Sequence, residues 1–232
     1  MKKIGILVLL LPLFLASCEP TPRIIEHQEP ELAVDIAIFE DYGCLTVTGC
    51  PNFYPKDLQF QIFDIDKPSD ILGGLDPMIP LVSALTFDFE HNPNIPAVFS
   101  GRCAATVYFN YLAYLNGEII VIDSKQDLAD VFAPIESKNE ALSYAIAATG
   151  YHAVYDLETI ENIEIYSNRL EETFVRKKQD GYIVHLFDYF LCHCGPHIIR
   201  AVDVFVSKNG EITVSEPVEA YRDTRLDNVC FD

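Results

Sequence analysis

The stretch ATVYFNYLAYLNGEIIVID, residues 105–123, decides the fold class more directly than any other part of the chain. Its first half alternates so that one face of a strand would carry Ala105, Val107, Phe109, Tyr111 and Ala113. Asn116 and Gly117 both tolerate a positive φ angle, and an Asn-Gly pair between apolar runs is typical of a tight β-hairpin. The uninterrupted apolar run at 119–122 then predicts a returning strand that is covered on both faces.

The residues before this hairpin also favour strands. ELAVDIAIF at 31–39 and LQFQIF at 58–63 alternate or nearly alternate, and Pro and Gly cluster between them. A helix follows the hairpin, because Ser124 with Asp127 resembles a capping box ahead of an apolar pattern. We therefore expect residues 32–136 to form a β-rich part that ends in a helix.

A second helix begins the remainder of the chain. Ser137 with Glu140 forms a fuller capping box, and Gly150 is placed to end the helix. The apolar positions predicted to face a sheet are Leu142, Ala145 and Ile146.

After Gly150 the pattern returns to strands. Two Gly-centred turns, at 179–181 and 208–210, separate alternating runs, which is typical of an antiparallel meander. The expected strands are residues 172–178, 182–192, 200–206 and 211–218. A helix followed by such strands buries one face of the sheet under the helix.

This order of elements resembles the cystatin or PepSY type of layered unit, and the resemblance covers element order only. It implies an α+β fold in which residues 137–232 form a helix packed on an antiparallel meander sheet. It also implies an inhibitor or immunity-type binding protein as one candidate function.

The chain opens with MKKIGILVLLLPLFLASCEP, residues 1–20. Two lysines precede an apolar run of about a dozen residues, too short to cross a hydrocarbon core about 30 Å thick, which describes a secretory signal peptide. LASC at 15–18 resembles the lipobox of bacterial lipoproteins. The resemblance implies that residues 1–17 are removed and that Cys18 is acylated, with palmitate among its chains. Glu19 in place of aspartate favours sorting to the outer membrane.

Residues 18–31 are rich in Pro and Glu, which predicts a tether between the anchor and the fold. The alternative is a short edge strand through Ile24 and Ile25. Removing Lys2 and Lys3 leaves 14 basic residues against 35 acidic ones, a formal charge of −21. Such a surface cannot neutralise phosphates, so we expect no nucleic-acid partner.

FLCHCGPHII, residues 190–199, concentrates cysteine and histidine. Cys192, Cys194 and His197 could form a three-ligand zinc site, but disulfides are favoured because an exported chain reaches a compartment where they persist. Without acylated Cys18 an even number of cysteines remains, and the disulfide candidates are Cys44, Cys50, Cys103, Cys192, Cys194 and Cys230. Cys192 and Cys194 lie on one strand face near the upper limit for a mutual bond, so each is expected to pair elsewhere.

The sequence contains no G-x-S-x-G, phosphate-binding glycine loop, H-E-x-x-H or C-x-x-C motif. Their absence argues against a hydrolase, a nucleotide-binding protein or a thioredoxin but does not exclude an enzyme. We identify no catalytic residues and no cofactor, and a role other than catalysis is favoured. The leading hypothesis is a cell-envelope lipoprotein with a binding or scaffolding role, attached to the membrane through Cys18 and able to meet an envelope protein partner. The alternatives are the inhibitor or immunity-type protein and a metal-binding or metal-dependent envelope protein that uses Cys192, Cys194 and His197.

Overall fold

The computed structural model describes residues 22–44, 62, 64–189 and 191–231. The predicted leader, Cys18, Cys50 and most of the strand expected at 58–63 lie outside the described residues. Among the residues that are described, no helix has the length and apolar character needed to cross a membrane.

The strands are β1 (Arg23–Ile25), β2 (Asp64–Asp66), β3 (Leu81–Asp88), β4 (Phe99–Arg102), β5 (Thr106–Leu115), β6 (Glu118–Ile122), β7 (Ile163–Ile165), β8 (Arg169–Glu171), β9 (Phe174–Lys178), β10 (Gly181–Asp188), β11 (His193–Cys194), β12 (Ile198–Ser207), β13 (Ile212–Val214), β14 (Val218–Asp223) and β15 (Cys230–Phe231). The α-helices are α1 (Ala37–Asp41), α2 (Lys125–Phe132) and α3 (Lys138–Thr149). Short 3-10 turns lie at Asp70–Gly74, Leu157–Thr159 and Thr224–Leu226.

The predicted α+β class is wrong. Strands hold 39% of the structure and helices 19%, so the fold is β-rich with several antiparallel sheets rather than a helix laid on one meander. The first sheet has the strand order β2-β3-β5-β4, with β6 paired to β5. The second sheet has the order β7-β14-β12-β10-β9, with β13 paired to β12. Two small ribbons, β1-β8 and β11-β15, account for the other described strands.

The hairpin predicted in the first sheet is confirmed. β5 and β6 pair antiparallel, and Asn116 and Gly117 turn the chain with φ angles of 54° and 90°. The covered character of the returning strand is also confirmed, because its side chains contact two different apolar clusters. Ile120 and Ile122 join the largest core cluster, whereas Ile119 and Val121 pack against a second one.

The two Gly-centred turns of the second sheet are confirmed as well. β9 and β10 pair across the turn at 179–180, and β12 and β13 pair across the turn that contains Gly210. Gly210 has a φ angle of +81°, and a Cβ there would approach the Tyr144 hydroxyl oxygen to 2.6 Å. This turn therefore requires glycine for both its conformation and its closeness to α3.

α3 was predicted to bury one face against one sheet, but it is buried on every side. Its caps form as predicted, since the Ser137 hydroxyl accepts from the Glu140 N–H at 3.1 Å and Gly150 ends the helix at φ 72°. The helix is buried on all sides, however, and its buried residues include Leu142, Tyr144, Ala145, Ala147 and Ala148. The largest core cluster joins these side chains to residues of both main sheets. α3 is therefore a central element between two sheets and not the cover of one.

Of the two strands considered in the N-terminal segment, one is absent and the other is present. The strand predicted at 31–39 is wrong: residues 31–36 form no strand, and α1 places Phe39, which is fully buried, in the second core cluster. A helical turn satisfies its backbone locally, because the N–H of Phe39 donates to the carbonyl of Ile36 at 2.9 Å. The alternative of a short strand through Ile24 and Ile25 is confirmed, because β1 pairs in parallel with β8.

Candidate functional site: an aromatic cleft beside a disulfide

The cysteine-rich segment around β11 forms two disulfides. Cys103 bonds to Cys192, and Cys194 bonds to Cys230. Each of the two closely spaced cysteines thus has a different partner, as their spacing on one strand predicts. The second bond joins β11 to β15, where Cys194 and Cys230 lie opposite each other in the antiparallel ladder. Cys44 is fully buried and is also disulfide-bonded.

The structure does not bring the three proposed zinc ligands together as a metal site. Both cysteine sulfurs are used in disulfides, so neither is available as a thiolate ligand. His197 is buried, its Nε2 lies 3.0 Å from the carbonyl oxygen of Val229, and its ring packs edge-on against Phe231. Within the described ranges, no group of three or more His, Cys, Asp or Glu side chains is placed to hold a metal ion.

A cleft of about 420 Å³ opens next to the Cys103–Cys192 disulfide. It lies where β4 and β5 of the first sheet meet the C-terminal end of α3 and the end of β10. Its volume falls within the range of roughly 300–1,000 Å³ that is usual for small-molecule sites. The lining residues that carry its chemistry are Phe99, Phe109, Tyr151, His152, Asp188 and Tyr189.

One wall of the cleft is a stacked aromatic pair. The rings of Phe99 and Phe109 lie 4.5 Å apart at an interplanar angle of 11°. The stack is tightly seated, because a Cβ on Gly150 would come within 2.2 Å of the Phe99 ring. Gly150 therefore has two roles: its φ angle of 72° ends α3, and its lack of a side chain lets the aromatic wall approach the helix end.

The rest of the cleft wall carries the polar groups. His152 is held against β10 by two backbone hydrogen bonds, in which its N–H and carbonyl pair with the carbonyl and N–H of Phe187 at 2.9 Å each. Its ring lies 5.3 Å from that of Tyr189. The Tyr189 hydroxyl is hydrogen-bonded to that of Tyr221, which fixes the position of this ring behind the cleft.

Burial controls the ionisation of this wall. The pKa of His152 is lowered, because partial desolvation disfavours the imidazolium more than the nearby Asp188 carboxylate favours it. The imidazole is therefore neutral at pH 7. The pKa of Tyr151 is raised by burial and by Asp188, so its phenol is also neutral. Asp188 supplies the carboxylate of this wall.

The sequence did not predict this cleft. Its residues come from four segments that only the packing of two sheets around α3 brings together. Among the residues that line the cleft is Gly150, which the sequence predicted to end α3. The sequence did not predict that aromatic rings surround this end of the helix. Comparisons with protein-family models, with curated proteins and with solved structures gave no match to this chain.

Proposed function

We propose that this chain is a lipid-anchored protein of the bacterial cell envelope and that it binds a ligand in the aromatic cleft. The cleft is the observation that carries the binding role. It combines an apolar stacked wall, neutral hydroxyl and imidazole groups, and one carboxylate, in a volume suited to a small molecule or to one side chain of a larger partner.

The lipobox-like LASC sequence ending at Cys18 supports the anchored location, and Glu19 supports the outer membrane. The disulfides Cys103–Cys192 and Cys194–Cys230 suit an exported protein, since such bonds persist in oxidising compartments. A Cys18→Ala variant tests the anchor. We expect the wild-type protein to enter the detergent phase with an acylated N-terminal peptide by mass spectrometry, and the variant to lack both properties. An unprocessed wild-type protein that retains residues 1–17 in the aqueous phase would contradict the location.

The carboxylate and the aromatic rings of the cleft favour a cation with an apolar body. Asp188 can accept a charge-assisted hydrogen bond from an ammonium group, and aromatic faces attract cations and stack on apolar rings. The formal charge of −21 after leader removal would also raise the local concentration of cationic ligands. We therefore propose a primary amine that carries an aromatic or aliphatic group as the ligand class.

Three probes that share one ring test this class. Calorimetric titration should give the tightest binding for phenethylammonium, weaker binding for phenethyl alcohol and the weakest for phenylacetate. Asp188→Asn should weaken phenethylammonium binding about five- to tenfold, which corresponds to about 1–1.4 kcal/mol for a partly exposed charged hydrogen bond.

Asp180→Asn is the matched control, because it makes the same change of net charge at an exposed turn at the other end of β10. Equal losses in both variants would mean that the overall acidic charge and not the cleft attracts the probe. Phenylacetate binding as tightly as phenethylammonium would contradict the ligand class.

The two earlier alternatives lose their structural basis. The inhibitor or immunity-type hypothesis depended on a helix-on-meander outline that this β-rich fold does not have. The metal hypothesis depended on sulfur ligands that are held in disulfides.

A further inference from the structure

The first described residues of the chain are hydrogen-bonded to the rest of the fold as a β-strand. β1 lies parallel to β8, with Arg23 opposite Arg169. The N–H of Arg23 donates to the carbonyl of Asn168 at 3.1 Å, and the N–H of Glu172 donates to the carbonyl of Ile25 at 2.9 Å. The predicted tether is therefore already part of a ladder at Arg23.

A buried carboxylate strengthens this attachment. Glu172 is 1% exposed, and its two carboxylate oxygens accept the N–H of His27 at 2.8 Å and the N–H of Leu157 at 2.7 Å. Ile24 packs against a third core cluster, which includes Leu170, Ile199 and Tyr221. Because main-chain, side-chain and apolar contacts all hold this segment, its position on the fold is fixed.

The short distance along the chain from Cys18 then limits how the fold can sit on a membrane. Five residue steps separate Cys18 from Arg23, and an extended chain covers at most about 3.3–3.6 Å per step, or roughly 17 Å in all. The parallel direction of β1 puts Arg23 at the start of β8, beside the turn at 166–168. An anchor on Cys18 would therefore keep this particular edge close to the bilayer.

We propose that this anchor edge, formed by Arg23, Tyr166 and Arg169, is the surface of the protein that contacts the lipid headgroups. The proposal rests on the lipid anchoring of Cys18 proposed above. Arginine pairs with lipid phosphates, and tyrosine is enriched at membrane interfaces because its ring is amphipathic. Tyr166 is 38% exposed, which is high for an aromatic side chain.

The charge distribution supports the same orientation. Arg169 also pairs with Glu171 at 2.7 Å, so the anchor edge is mixed in charge rather than strongly basic. Two of its three residues are arginines. Arg23 and Arg169 offer anionic headgroups partners of opposite charge at the edge that the short tether keeps close to the bilayer.

The second sheet supplies a control position far from the anchor edge. The N–H of Tyr166 donates to the carbonyl of Ala220 in β14 at 3.0 Å. Ala220 adjoins the residue of β14 that pairs with Arg200 of β12, and Arg200 pairs with Asp188, so Tyr166 lies at the Asp188 end of β10. The exposed turn that contains Gln179 adjoins Gly181 at the other end of that strand. Seven residue steps along β10 separate the two ends, which is about 23 Å at about 3.3 Å per step.

The chain contains no tryptophan, so one introduced tryptophan reports a single location. We suggest Tyr166→Trp and, as the matched control, Gln179→Trp. Each is made in the full lipidated chain and reconstituted in vesicles of phosphatidylcholine and phosphatidylglycerol whose acyl chains are brominated near the headgroup. We expect Tyr166→Trp to lose emission and shift to the blue, because its ring enters the interface. Gln179→Trp should keep the emission that it has in vesicles without bromine.

Mass spectrometry of the N-terminal peptide, performed on the same samples, separates the possible failures. An acylated protein in which Gln179→Trp is quenched as strongly as Tyr166→Trp, or in which neither is quenched, overturns the orientation while the anchor stands. A protein without acyl groups overturns the anchor and, with it, this inference. Equal melting temperatures of the two variants and the wild type would show that the substitutions have not altered the fold.

Discussion

The burial of α3 on every side leads to a strong prediction at Ala147. An amphipathic helix that faced one sheet through Leu142 and Ile146 would turn Ala147 towards solvent, at about 100° per residue. In the structure Ala147 is fully buried, and its carbonyl accepts the Tyr111 hydroxyl of β5 at 3.1 Å. Ala147→Leu therefore separates a helix between two sheets from a helix on one sheet.

The expected cost follows from packing. Leucine adds three carbon atoms at position 147. The Tyr111 hydroxyl of the first sheet is hydrogen-bonded to the carbonyl of that same residue, so the sheet and the helix cannot move apart to make room without losing this hydrogen bond. Overpacking of this kind costs about 1–3 kcal/mol in free energy of unfolding. For a domain of this size, that corresponds to a fall in melting temperature of about 2–12 °C. On a solvent-facing helix position the same change would stay within about 0.5 kcal/mol, because Ala and Leu have similar helix propensities.

Thermal and denaturant unfolding of Ala147→Leu, followed by circular dichroism, measures the effect. Ala37→Leu is the matched control, because Ala37 is an exposed alanine in α1. We expect the control to remain close to the wild type. An Ala147→Leu protein as stable as this control would refute the burial of α3 between two sheets.

Three further predictions concern single contacts. Tyr144→Phe removes the bond from the Tyr144 hydroxyl to the carbonyl of Gly210 at 2.9 Å and should lower the free energy of unfolding by about 1–2 kcal/mol, measured by denaturant titration. Replacing Cys194 and Cys230 with serine removes a disulfide between residues 36 positions apart and should lower the free energy of unfolding by about 2–4 kcal/mol, measured by denaturant titration. Non-reducing peptide mapping of the wild type should first recover the Cys194 and Cys230 peptides joined by this bond. Burial lowers the pKa of His152, so its imidazole becomes cationic only in more acidic solution than an exposed histidine would need, and that protonation should weaken phenethylammonium binding. His152→Asn should remove that pH dependence in calorimetry, and an unchanged pH profile would contradict the role of this imidazole.

The parts of the fold that the sequence predicted are those set by neighbouring residues. The Asn116-Gly117 turn, the Ser137 cap and the Gly150 helix end each depend on the φ angles or hydrogen bonds of a few consecutive residues. Side chains a few positions away are sufficient to specify such features, so the pattern alone predicted them. The different partners of Cys192 and Cys194 were predictable in the same way, from the spacing of residues on an extended chain.

The wrong predictions involve contacts between distant segments. Alternation over 31–39 is typical of a strand, but the second core cluster receives Phe39 from a helical turn. The α3 sequence fits a helix on one sheet as well as a helix between two, because small alanines suit both environments. Whether a second sheet covers them depends on β3, β5 and β6, which are far away in sequence.

The sequence by itself therefore determined the Asn116-Gly117 hairpin, the two ends of α3 and the separate disulfide partners of Cys192 and Cys194, because each depends on a short run of residues. It also predicts a lipid anchor at Cys18. Only the tertiary structure decided the β-rich class, the all-round burial of α3, and the cleft that brings Phe99, Phe109, His152 and Asp188 together. The physical reason is that a hydrophobic pattern says that a side chain is buried but not which surface buries it. That choice depends on long-range packing, which no local periodicity encodes.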